Sequence, residues 1–103
     1  MSDISVTHES DRHRYVARLD GTEVGFAEYQ LTDRLVVFTH TEVADECEGM
    51  GVGSAIVRFA LDDVREAGTR QVLPLCPFVK GWIGSHEEYR PLVYGQPAST
   101  ARD

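Results

Sequence analysis

Glu48-Gly49-Met50-Gly51-Val52-Gly53-Ser54 decides how the rest of the chain is read, because the apolar pattern changes period across it. Before it, Arg34 to Val43 is long, β-branched and aromatic. As a strand it places Leu35, Val37, Thr39, Thr41 and Val43 on one face and Val36, Phe38 and His40 on the other. Apolar residues on both faces predict a central strand. After it, Val52, Ile56, Phe59, Ala60, Val64 and Ala67 recur at three- and four-residue intervals, which predicts an amphipathic helix stopped by Gly68.

Working outward, Arg70 to Cys76 is a second short apolar strand, and a strand that follows a strand and a helix is expected to run parallel to the first. Upstream, Arg14 to Leu19 alternates at period two, Asp20-Gly21 supplies a tight turn, and Glu23 to Leu31 continues as the partner of a hairpin. Ile4 to His8 reads as a first strand. The order predicts an α+β domain, an antiparallel meander followed by one βαβ crossover. Phe78 to Ile83 and Glu87 to Val93 read as short helices. The domain is expected over residues 1–94, with 95–103 a flexible tail of little apolar content.

A chain of 103 residues, 42% of them hydrophobic, supports one core and not two. Its formal net charge of −7 argues against nucleic acid as a partner, since such binding neutralises phosphates with Lys and Arg. The longest apolar run, Leu35-Val36-Val37-Phe38, is far too short to span a membrane, and Met1-Ser2-Asp3 starts without an apolar signal core. A cytoplasmic protein is expected, with Cys47 and Cys76 as free thiols.

Glycines between a strand and a helix can leave backbone N–H groups and the positive end of the helix dipole open to a phosphate. Two phosphate cradles are excluded. A P-loop ends in Gly-Lys-Ser/Thr, and the only lysine is Lys80. The dinucleotide fingerprint needs Gly-x-Gly-x-x-Gly and a carboxylate on the next strand, whereas here the spacing is Gly-x-Gly-x-Gly and Gln71 to Cys76 carries no acid. The alternative is a tight turn with close helix packing, its dipole complemented by Glu42, Asp45, Glu46 and Glu48.

Cys76 lies between Pro74 and Pro77, and a proline inside the strand interrupts its ladder. The two parallel strands are therefore expected to splay, with the glycine loop at the mouth of the slot and Cys76 on its wall. His40 is the candidate base for that thiol, against the plainer readings of a core thiol and a satisfied sheet histidine. Cys47, in the acidic loop, is read as a bystander. His8, Asp11, His13, Glu42 and His86 show no ligand spacing, so no metal site is expected.

Taken together, His40-Thr41-Glu42-Val43, Glu48 to Ser54, Pro74-Leu75-Cys76-Pro77-Phe78-Val79 and His86-Glu87-Glu88-Tyr89 resemble the small GCN5-related N-acetyltransferase-like family of the YjdJ type, over residues 5 to 93. The resemblance implies a miniature acetyltransferase fold. It implies acetyl-CoA, its pyrophosphate on the amides of Met50, Gly51, Val52, Gly53 and Ser54 and its pantetheine arm beside Glu42 and Val43. It places Cys76 and His40 near the thioester, as catalytic candidates, and implies a small-molecule or protein amine as acceptor. Transfer can be direct or through Cys76. The competing function is a non-catalytic CoA-binding or protein-interaction module.

Overall fold

The computed structural model describes residues 3–95, so most of the expected tail, residues 96–103, lies outside the described residues. Five strands form one sheet in sequence order: β1 Ile4–Glu9, β2 Arg14–Leu19, β3 Thr22–Leu31, β4 Leu35–Val43 and β5 Gln71–Pro74. The first three pairings are antiparallel and the last, β4 with β5, is parallel. Helix α1, Val52–Ala67, makes the crossover, and α2, Pro77–Gly84, precedes a 3-10 segment at Glu87–Leu92. This is the expected meander and βαβ unit. The hairpin turn works because Asp20 and Gly21 both take positive φ, 52° and 84°.

The apolar stripe of α1 buries Val52, Ile56, Val57, Ala60, Leu61 and Val64 against Tyr15, Ala17, Ala27, Tyr29, Val36 and Phe38 of the sheet. Each fully buried aliphatic or aromatic side chain here contributes roughly 1.5–3 kcal/mol. Phe59, expected in the stripe, sits on the helix flank at 40% exposure with its edge toward Tyr15. Gly68 takes φ 70° and returns its N–H to Val64, ending the helix as anticipated. Alongside α1, Trp82 of α2 donates its Nε1–H to Ser54 Oγ at 2.9 Å, and Tyr89 donates to Asp62 at 2.7 Å. No helix among the described residues is long and apolar enough to cross a membrane.

The expected alternation of β4 needs one correction. Glu28 pairs with His40 and Tyr29 with Phe38, so a bulge at Thr39 resets the faces. Val36 and Phe38 point to α1, and beyond the bulge the same side is taken by Thr41 and Val43. His40 and Glu42 are thereby turned to the opposite face.

Candidate functional site

The parallel ladder starts at Leu35↔Gln71 and stops at Phe38↔Pro74, while β4 continues to Val43 paired with β3 only. Pro74 is the cause on one strand, since the chain after it leaves the sheet. The N–H groups of Leu75 and Cys76 both donate to the Phe38 carbonyl, at 3.0 and 2.9 Å, and Pro77 then opens α2. The second strand is therefore shorter than the expected Arg70 to Cys76, and a gap separates the end of β4 from the start of α2. At its far end the Ala44 N–H turns back to Val24 O of β3 at 2.8 Å. Because successive N–H groups of a strand alternate sides, that of Val43 points away from β3, into the gap.

The loop between β4 and α1 closes the gap at its mouth. Gly49 and Gly51 both have φ 83°, a conformation that strains any residue with a Cβ. Gly51 is the N-cap of α1; no side chain caps the helix and no acid lies in its first turn. The first helical bond from outside runs from Ala55 N–H to Gly51 O at 2.9 Å. Among the described residues no protein group accepts from the N–H of Val52, Gly53 or Ser54. Asp45, Glu46 and Glu48 are exposed and spend no oxygen on these amides. The expectation for Met50 is corrected, since its N–H is used within the loop, on Cys47 O at 3.1 Å. Beside the free amides lies a cavity of about 430 Å³ whose walls include Thr41, Val43, Cys47, Val52, Gly53 and Phe78. A Cβ at position 53 would stand 2.6 Å from Phe78 Cζ, so only glycine leaves this wall undisturbed. Amides and cavity together suit a phosphate joined to a narrow chain.

The structure does not bring Cys76 and His40 together. Cys76 is the N-cap of α2, 4% exposed, and its Sγ donates to Thr41 Oγ1 at 3.4 Å on the α1 side. His40, across the sheet, holds Glu42 through Nε2 and Oε2 at 2.9 Å, with its ring 6.0 Å from that of Phe26. The bulge at Thr39 is the physical reason. Glu42, expected beside the pantetheine arm, consequently faces away from the cavity, whereas Val43 lines it. Both thiols are free and buried, and Cys47 forms part of the cavity wall. No cluster of three His, Cys, Asp or Glu side chains among the described residues could hold a metal ion.

Residues 14–92, more than three quarters of the chain, match the GCN5-related N-acetyl-transferase family. The chain belongs to the GCN5-related N-acetyl-transferase family. The match is to the family as a whole and does not single out the YjdJ type. Solved structures agree at the level of the fold. A protein from Staphylococcus aureus described as GCN5-like superposes with a TM-score of 0.70 at 19% identity, over 100% of both chains. The ribosomal-protein-S18-alanine N-acetyltransferase of Escherichia coli gives 0.64 at 14% identity, over 84% of this chain and 76% of that one. AAC(6')-Iy, solved with the bisubstrate analogue CoA-S-monomethyl-acetylneamine, gives 0.54 at 12% identity, over 100% of this chain and 98% of that one. No protein of curated function matches the sequence.

In this acetyltransferase-family chain the sequence leaves three wall residues unmarked. Thr41 looks like one strand residue among several until the bulge turns it toward Cys76. Phe78 carries one signal, its place directly after the helix-opening Pro77. The Ser54 amide has no protein acceptor among the described residues, and its hydroxyl accepts from Trp82.

Proposed function

We propose that the chain is an acetyl-CoA-dependent N-acetyltransferase that passes the acetyl group directly to a small-molecule or protein amine, in the cytoplasm. The observation that carries this is the continuity of the free amides of Val52, Gly53 and Ser54 with the unpaired edge of β4. Free buried thiols suit a reducing compartment. Bound acetyl-CoA supplies an acetyl group as a thioester. The three amides would hold its pyrophosphate, and the Val43 N–H would polarise a carbonyl oxygen placed in the gap. His40, with its Nε2–H given to Glu42, keeps Nδ1 free to accept a proton from an ammonium approaching on the outer face. On that face Glu23, Glu28 and Glu42 outnumber Arg14, which pairs with the first two, and the remaining negative charge favours a cationic amine as acceptor.

Calorimetric titration with acetyl-CoA, then CoA release over a panel of primary amines, tests the reading. Binding at about micromolar strength followed by amine-dependent release is expected. Binding without release above the blank makes the protein a CoA-binding module instead. No binding at about millimolar acetyl-CoA overturns both.

A further inference from the structure

At the other end of α1, about 15 Å along the helix axis from Gly53 to Asp63, lies a second cavity that the transferase reading does not use. Its volume is about 150 Å³ and its floor is apolar, formed by Leu31, Val36, Val64 and Ala67. The rim carries two charges that do not pair with each other. Asp63 spends one oxygen only: Oδ2 accepts from Tyr15 O–H at 2.8 Å and lies 3.2 Å from His8 Nδ1. Its Oδ1 has no protein partner among the described residues, and the side chain is 45% exposed. Across the cavity Arg70 is anchored through Nε on the Thr32 carbonyl at 2.7 Å, and its terminal nitrogens have no protein partner among the described residues.

Both charges are held in place. His8 hydrogen-bonds the Tyr29 hydroxyl through Nε2, places Nδ1 beside Asp63, and stacks on Tyr15 at 4.2 Å. Phe38 packs against both tyrosines, with ring centroids at 6.3 and 6.1 Å. A carboxylate and a guanidinium, each fixed by one bond and each with open valences, face a common apolar floor. We propose that this cavity is a binding site for a small zwitterion, a free α-amino acid with a branched aliphatic side chain. The ammonium goes to Asp63 Oδ1, the carboxylate to the terminal nitrogens of Arg70, and the side chain to Leu31, Val36 and Val64. An apolar cavity of this size holds about six heavy atoms, enough for the isopropyl group of valine with its two charged groups at the rim.

The test uses the whole chain and L-valine, followed by amide chemical-shift changes. A dissociation constant of about millimolar is expected for so few atoms, with shifts centred on Asp63, Arg70 and Val64 and none in the glycine loop. Valinamide lacks the carboxylate and isovalerate lacks the ammonium; each is expected to bind at least about tenfold more weakly. Asp63→Asn, which keeps an acceptor for Tyr15, and Arg70→Gln should each cost about tenfold in L-valine affinity. Equal binding of valinamide or isovalerate to the native protein overturns the zwitterion, and that comparison does not depend on either variant folding. No shift at Asp63 or Arg70 up to about 20 mM L-valine overturns the site itself. Neither result bears on acetyl-CoA, whose binding is read separately at the glycine loop.

Discussion

Cys76 Sγ donates its hydrogen bond to Thr41 Oγ1 at 3.4 Å, and the residue before Thr41 in the chain sends its imidazole to the far side of the sheet. The thiol is 4% exposed, and its polar partner is a hydroxyl, not a base. Cys76 is thus a wall of the slot, and Cys76→Ala is expected to keep turnover within about threefold. Steady-state kinetics with acetyl-CoA and a responsive amine measure this. A loss beyond about a hundredfold with unchanged acetyl-CoA affinity would restore a covalent route through the cysteine.

The His40–Glu42 pair, on the outer face at 2.9 Å, gives the opposite expectation. His40→Gln removes the proton acceptor and should lower kcat by about 10²–10⁴ while leaving the dissociation constant of acetyl-CoA unchanged. Glu42→Gln should act more weakly, through the orientation of the ring. Activity of His40→Gln at the native level removes the histidine from the reaction.

The fold was legible because each step depends on local chemistry. Asp20-Gly21 can make the tight turn, Gly68 can end a helix, and a strand, helix and strand in succession specify a parallel pair. Pro74 also announced the splay. The site was half legible for a different reason. Amide availability depends on who else accepts: Met50 looks like its neighbours in sequence, and only the Cys47 carbonyl removes it from the cradle. Face assignment failed past Phe38 because one bulge shifts every later side chain, so His40 and Cys76 were placed side by side by a parity that Thr39 breaks.

Two glycines separate stability from binding. A Cβ at Gly25 would meet the Glu42 carbonyl oxygen at 2.9 Å and both Val52 Cγ1 and Ile56 Cδ1 at 3.2 Å, a backbone atom and a packed core that cannot retreat together. Gly25→Ala should cost about 1–3 kcal/mol. At Gly53 the obstacle is the far end of the Phe78 ring, which is 45% exposed and can swing aside. Gly53→Ala should cost under about 1 kcal/mol, yet weaken acetyl-CoA by pushing that ring across the cavity. Urea midpoints and calorimetry on both variants decide the matter. Equal stability losses would contradict the distinction.

Tyr15 sets the alkaline limit of the fold. Burial first, and then its bond to Asp63, hold its phenol above the ordinary value; Tyr29 and Tyr89 are raised in the same direction, chiefly by burial. Below about pH 10 the phenols are protonated in both folded and unfolded chains, and they add no pH dependence. Above it the unfolded chain releases protons that the native state keeps, so stability falls as pH rises from about 10 toward the folded values. Tyr15→Phe loses the bond to Asp63 and should be less stable near neutrality by about 1–3 kcal/mol. Its decline above about pH 10 should nevertheless be shallower, because one shifted proton is gone, and not flat, because Tyr29 and Tyr89 remain. Urea denaturation at several pH values between about 8 and 11 reads both effects, and an unchanged alkaline slope in the variant would mean that Tyr15 titrates alike in the two states.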